Sequence, residues 1–307
     1  MKLYNNYHSV QLNYSQSVVT IGMFDSLHLG HQSVIQKVLE LASNNLDSIV
    51  ITFSNSPATY FQKQEHDDFI FTIEDKIKQF ERLGVDHLIV VPFDELLSSY
   101  DAKAFVEDIL INQLKINSLV LGYDNHFGKN REGSVALINT YYSDRIQAFS
   151  VNAVENDQHE IISSSLIKST LGKGLVELIP SYLGRDYYLK GEIVQGAQLG
   201  RQLGFKTANI LLNKNLITPA LGVYAVMVEL KGKNYKAVTN IGKRPSVTDS
   251  LEIVVETHIF DFDEEVYGEE ICLFFKKKIR DEQKFTSLDQ LKNQIRLDVQ
   301  TVKDFLA

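Results

Sequence analysis

Residues 20–32 read TIGMFDSLHLGHQ. An apolar run ends at Ile21, Gly22 and Gly30 bracket a turn, and an amphipathic segment begins near His31 with Val34, Ile35, Val38, Leu39 and Ala42 on one face. Strand, turn and helix in that order open a βαβ unit, so this stretch predicts a parallel sheet with a ligand crevice at the carboxyl end of a strand. A helix N-terminus offers unpaired N–H groups and partial positive charge, which attract phosphate. His28 and His31 stand about one helical turn apart and can face the same anion, and Gly30 lets the backbone come close. Charge-assisted donors placed this way suit nucleotidyl transfer, where the protein positions reactants and stabilises developing charge. Asp25, His28 and His31 are also metal-ligand types, and two histidines on a solvated loop is the plain alternative. No G-x-G-x-x-G follows the strand, so a dinucleotide fingerprint is set aside.

The pattern repeats outward from that motif. Apolar runs at residues 18–21, 49–53, 87–91 and 119–121 alternate with helical periods, among them IEDKIKQFERLG, with Ile73, Ile77 and Phe80 on one face and Gly84 as its stop. From about Tyr187 the texture changes to short β-rich runs (YYLKGEIV, GVYAVMVEL, YKAVTNIG, LEIVVETHIF, ICLFFKKKI), which predict a closed antiparallel barrel. The final segment carries Leu288, Leu291, Ile295, Val299, Val302 and Leu306 at helical spacing, with Ser287 and Gln290 as a capping box, and reads as a helix packed on the barrel. Around Pro180 and Gly184 the two textures meet, so the expected domains are 1–182 and 183–307. A length of 307 residues suits two domains.

A net charge of −8 argues against a general nucleic-acid or anionic-membrane binder, which puts any phosphate handling in local pockets. No run approaches the ~20 apolar residues of a membrane span, and the opening MKLYNNYHSVQLNYS lacks a signal-peptide core, so the expected location is the cytoplasm. The single cysteine, Cys272, excludes an intrachain disulfide and a multi-cysteine zinc site.

Further motifs follow in order: LGYDNHFGKNREGS, ISSSLIKSTLGKG, GAQLGRQLGFKTAN, LGVYAV, NIGKRPS, VETHIFDFDEEVYG and RDEQKFTSLDQLKNQI. Serines and a lysine at a helix start suit a triphosphate, though serines there are commonly plain caps. A glycine-rich loop followed by Thr207 and Asn209 suits phosphate and Mg²⁺, though by itself it also reads as a hairpin turn. Together with the opening stretch, these eight motifs resemble the bacterial bifunctional riboflavin kinase/FMN adenylyltransferase (FAD synthetase) family over essentially the whole chain.

That resemblance implies a Rossmann-like α/β nucleotidyltransferase domain followed by a β-barrel riboflavin kinase domain with a C-terminal helix. It implies riboflavin, FMN and ATP as substrates and Mg²⁺ as cofactor. In the first module ATP phosphates would lie over His28 and His31, with Gly22, Phe24, Gly30, Ser163, Ser164, Ser165 and Lys168 around them. Asp124, Asn125 and Phe127 would form a flavin and nucleotide edge. In the second module Gly196, Gly200, Arg201, Thr207 and Asn209 would hold Mg·ATP, with Thr207 and Asn209 on the metal. Glu256 would be the base for the riboflavin 5′-hydroxyl, and Asn240, Arg280 and Glu282 would line the flavin or nucleotide pocket. The chain departs from the family at Met23, Ser26, Asn55-Ser56, Asn125-His126, Ser165, Lys168 and Lys206. Lys206 replaces a proline, which removes a fixed φ beside the Mg·ATP loop. These departures keep open a paralogue with one activity, the kinase, and a flavin-binding regulator without turnover.

Overall fold

In a computed structural model, which describes residues 1–43, 45–63, 67–196, 204–245 and 251–307, the four apolar runs of the first half are central strands of a parallel sheet. Their side chains alternate between two cores: Val19, Ile21, Ile49, Ile51, Ile89, Leu119 and Leu121 face one, and Val18, Val50, Leu88 and Val120 face the other. Both strand faces are apolar because helices cover both. Helix α1 (Leu29–Ala42) supplies Val34, Ile35 and Val38 to one side and α2 (Ile73–Leu83) adds Phe80. The segment Phe105–Gln113 and helix Val135–Tyr141 cover the other side through Phe105, Val106, Ile109 and Ile138.

Strands β1 (Lys2–Tyr4), β2 (Ser17–Ile21), β3 (Asp47–Phe53), β4 (His87–Val91), β5 (Ile116–Gly122) and β6 (Gln147–Val151) lie in the order β1-β4-β3-β2-β5-β6, every neighbouring pair parallel. The order reverses at β2, so a crevice opens outside the carboxyl ends of β2 and β5. The opening motif sits there. Helix α1 starts earlier than its pattern predicts: His28 is the N-cap, its ring nitrogen accepting from the His31 backbone N–H at 3.2 Å, and Gly30 belongs to the first helical turn. Strands β1 and β6 escape the sequence reading because one is three residues in a polar opening and the other is only half-buried.

At the opposite, amino end of the sheet Asp47 and His87 are both buried, with His87 Nε2 2.9 Å from Asp47 Oδ1. Burial alone would raise the Asp47 carboxyl, but the Tyr14 N–H, His87 and Asn13 donate to it and hold it below the ordinary value. A lowered carboxylate stabilises the fold above the unfolded pKa of about 4, and that contribution is lost as pH falls through the lowered value. Urea midpoints of Asp47→Asn measured from pH 5 to pH 3 should therefore fall less steeply than those of the native chain. Parallel slopes would count against this role.

In the second half, β7 (Tyr188–Val194), β8 (Ala208–Leu212), β9 (Gly222–Leu230), β10 (Lys233–Pro245), β11 (Leu251–Ile259) and β12 (Glu270–Arg280) close into an antiparallel barrel in the order β10-β11-β8-β7-β12-β9. Closure leaves no strand edge to pair with other chains. Tyr187, Tyr224 and Phe275 are fully buried, and Tyr224 meets Phe275 edge-on at 5.4 Å. Strand β8 was not expected as a separate strand, because its five residues directly follow the glycine-rich loop.

Helix Leu288–Phe305 lays Val299 and Val302 against Val223, Ala225, Val238 and Phe260. Ser287 caps it as expected, but the Gln290 side chain accepts from Thr286 rather than Ser287, so only half of the capping box forms. Buried Asp298 on this helix receives the Arg280 guanidinium from β12 in a two-pronged contact, Nη2 to Oδ2 at 2.7 Å and Nε to Oδ1 at 2.9 Å. Asp298→Ala would leave that cation without its partner and should cost about 3 kcal/mol of barrel stability. The paired exchange Arg280→Met/Asp298→Leu should recover most of it in thermal unfolding. Equal losses in the single and paired variants would contradict this.

Candidate active sites

The crevice at β2 and β5 encloses about 320 Å³. His28 and His31 form its floor, their rings stacked at 3.7 Å and 21°. Gly30 makes the stack possible, since a Cβ there would stand 3.0 Å from the His28 ring. Phe24 meets His31 edge-on at 5.2 Å and holds a left-handed backbone, φ 46°, as does Leu27 at 47°, a strained loop of a kind found at functional sites. Buried Ser26, one of the departures, places its hydroxyl 3.3 Å from that of Ser164.

Because His28 Nδ1 accepts from the helix N–H, its proton sits on Nε2. Nδ1 of His31 is sealed from solvent and has no protein partner among the described residues. Burial pushes the His28 imidazole down to about 4, and burial, then His28, then Lys76 hold His31 well below its usual range. Desolvation thus favours the neutral form of both rings in the free protein, which leaves each an N–H to donate to an anionic phosphate oxygen. The alternative of a metal at Asp25, His28 and His31 gains no support, since no group of three or more ligating side chains gathers among the described residues. Asp25 instead accepts the Ile70 N–H at 3.0 Å.

The sequence reading missed two cations here. Lys76, on α2, is only 2 % exposed and donates to the carbonyls of Met23 and Phe53 at 3.2 and 3.4 Å. Burial pushes its ammonium down to about 8, against the pull of Asp25 and Asp67. A signal existed: Lys76 falls within the apolar stripe, three residues after Ile73 and four before Phe80. Arg131 lines the crevice and donates to the Asp124 carbonyl at 3.3 Å. Its position between Gly128 and Gly133 was the available cue.

Other expected residues separate by role. Gly22, Asp124, Asn125, Ser163 and Ser164 line the crevice. Asn125 also donates to the Ile21 carbonyl, tying the loop after β5 to the end of β2. Asn55 both donates to and accepts from the backbone of Phe93, an internal tie between the ends of β3 and β4. Phe127 lies in the core against Phe105 and Gly133, supporting its loop from beneath. Ser165 and Lys168 stand on helix Ser164–Gly172, as expected of a helix start. The chain divides into compact units Met1–Ser164 and Ser165–Ala307, so these two residues fall in the second unit.

Within the barrel, register brings distant residues together. Glu256 on β11 is directly opposite Asn209 on β8 and Asn240 on β10, and Asn240 is opposite Val223 on β9. Directly opposed residues share a face, so these four form a row across adjacent strands. Asn240, Glu256 and Val223 line a cavity of about 410 Å³ with apolar walls from Phe285, Leu291 and Ile295. Thr207 lines this cavity and a neighbouring one that Glu264 and Tyr267 also border.

Gly196 is pressed against the Asn209 amide, where any Cβ would collide. Glu282 reaches over Gly242, its carboxylate 2.8 Å from where a Cβ would stand. Arg280 borders the cavity, but Asp298 engages its guanidinium. The expected phosphate contacts Gly200 and Arg201 lie outside the described residues. Lys206 pairs through its side chain with Asp263.

A crevice at the carboxyl ends of a parallel sheet and a barrel cavity bordered by Asn240 and Glu256 can be compared with known proteins. The FAD synthetase family profile matches residues 10–166 and the riboflavin kinase profile residues 183–306. The bifunctional riboflavin kinase/FMN adenylyltransferase of Haemophilus influenzae is 35% identical over 99% of both chains. The chain belongs to the bifunctional riboflavin kinase/FMN adenylyltransferase family. The Bacillus subtilis protein of that name is 36% identical over 96% of this chain and 94% of its own. A solved structure named as a macrolide-efflux protein from Streptococcus pneumoniae superposes with a TM-score of 0.88 at 29% identity, covering 98% of each chain. Among the described residues no helix is long and apolar enough to cross a membrane. The chain is thus a transferase of flavin cofactor synthesis with riboflavin kinase and FMN adenylyltransferase activities.

Proposed function

We propose that the β2/β5 crevice carries adenylyl transfer and the β8-β11-β10 row carries phosphorylation, in modules spanning residues 1–182 and 183–307. In the kinase module the riboflavin 5′-oxygen attacks the γ-phosphorus of ATP, the bond to the β,γ-bridging oxygen breaks, ADP leaves and Glu256 takes the hydroxyl proton. Asn240 and Glu282 orient the flavin at the cavity wall, and Arg280 shapes that wall through its hold on Asp298. The observation that carries this reading is the register that sets Glu256 between Asn209 and Asn240.

In the adenylyltransferase module an FMN phosphate oxygen attacks the α-phosphorus and pyrophosphate leaves. That oxygen is already deprotonated, so the step needs donors rather than a base. The neutral N–H groups of His28 and His31 supply them, together with the N-terminal amides of α1. Gly22, Phe24, Gly30 and Ser164 complete the phosphate surroundings, while Asp124 and Asn125 border the flavin or nucleotide and Phe127 braces their loop.

Thr207 and Asn209 would hold Mg²⁺. A hydroxyl and an amide oxygen are hard neutral donors that suit this ion beside phosphate oxygens and water, and only a glycine at 196 lets the backbone pass so close to the Asn209 amide. When bound, the ion neutralises charge on the phosphates. We place the enzyme in the cytoplasm, with riboflavin, FMN and ATP as its substrates and neither nucleic acid nor membrane as a partner. ATP labelled on its γ-phosphorus should pass label to FMN, and ATP labelled on its α-phosphorus should pass label to FAD. Chelation should stop FMN labelling and added Mg²⁺ should restore it. Label transfer that ignores chelation would remove Mg²⁺ from the reading.

A further inference from the structure

We propose that His258 is a positioning residue of the kinase site, latching the loop that carries Thr207 onto the strand that carries Glu256. The inference rests on the kinase reading above. Its Nδ1 lies 2.7 Å from the Lys206 carbonyl oxygen. A carbonyl only accepts, so Nδ1 carries the proton and, in the neutral ring, Nε2 keeps a lone pair.

The position of this bond gives it its purpose. The β8–β11 ladder runs from Val255 opposite Ile210 through Glu256 opposite Asn209 and ends with Thr257 opposite Ala208. Beyond that point β8 has stopped, and a side-chain bond takes the place of the next backbone one. His258 is two residues from Glu256, so both project from the same strand face, and both line the cavity to which Thr207 contributes. Phe205 meets the His258 ring at 90° and 5.5 Å, and Phe260 meets it at 5.8 Å, so aromatic edges fix the ring. Lys206 is tied a second time through Asp263, in the connection after β11. Lys206 is thus held at both its carbonyl and its ammonium.

The test compares three replacements in FMN formation from riboflavin. His258→Leu removes the donor and should lower kcat/KM for Mg·ATP by about tenfold, the weight of one hydrogen bond. His258→Asn places an N–H near the Nδ1 position and should recover most of that loss, whereas His258→Gln, whose amide reaches further, should not. FAD formation from FMN serves as the folding control and should be unaffected in all three. If Asn proves as damaging as Leu, or Leu proves harmless, the latch is wrong. A rise confined to the KM of riboflavin would make His258 a flavin contact instead.

A readout independent of turnover completes the test. Nitrogen-15 spectra of histidine-labelled protein at pH 8.5, with the His258 signals assigned by their absence in His258→Asn, should show the Nδ1-protonated tautomer. The Nε2-protonated tautomer would overturn the proposal. A native chain that made no FMN yet showed the Nδ1 proton would sink the kinase reading and leave the latch standing.

Discussion

Replacing His28 and His31 together by alanine should lower FAD formation from FMN by about a thousandfold or more, while FMN formation from riboflavin continues. The size follows from removing two donors aimed at a charged transition state, each of the kind worth about a hundredfold or more. Burial makes the effect larger than it would be in water, since the stacked rings sit where charge is poorly screened. His28 is also the N-cap of α1, and its loss by itself costs about 1 kcal/mol of helix stability. His28→Asn separates the two effects, because asparagine caps as well as any residue but presents no imidazole. FAD formation should still collapse in that variant with thermal stability close to native. Activity retained in His28→Asn would mean that the imidazole serves only as a cap.

Glu256→Gln should have the mirror-image outcome. FMN formation should fall by about a hundred- to ten-thousandfold, the usual weight of a positioned general base, and FAD formation from supplied FMN should persist. Glutamine keeps the shape and the place between Asn209 and Asn240, so the barrel row survives and only proton acceptance is lost. Flavin binding measured by fluorescence quenching should change little. A fall in riboflavin affinity with kcat intact would recast Glu256 as a binding residue.

The two sites were legible in the sequence to different depths. The crevice could be placed from one stretch because strand, turn and helix are contiguous there, and local periodicity is the signal a sequence carries best. Its electrostatics could not be, because the lowered pKa values of His28 and His31 depend on burial in the folded loop, and that of His31 also on the charges of His28 and Lys76. Lys76 itself lay hidden inside an apolar stripe, where its function depends on two carbonyls from other segments.

In the barrel, the residues were named through resemblance, and their convergence depends on pairing register. Asn209, Asn240 and Glu256 are distant in sequence, and no periodicity predicts that they stand in one row. The unexpected strand β8 is what brings Asn209 there. Arg280 depends on distant packing in the same way, since its guanidinium is engaged by Asp298 on a helix from the far end of the chain.

The most direct test of the account is a time course on the purified native chain, started from riboflavin with ATP and Mg²⁺ and resolved chromatographically. Two working sites predict that FMN appears first, rises, and is then drawn down as FAD accumulates. FMN that accumulates without any FAD would contradict the assignment of adenylyl transfer to the His28 and His31 crevice.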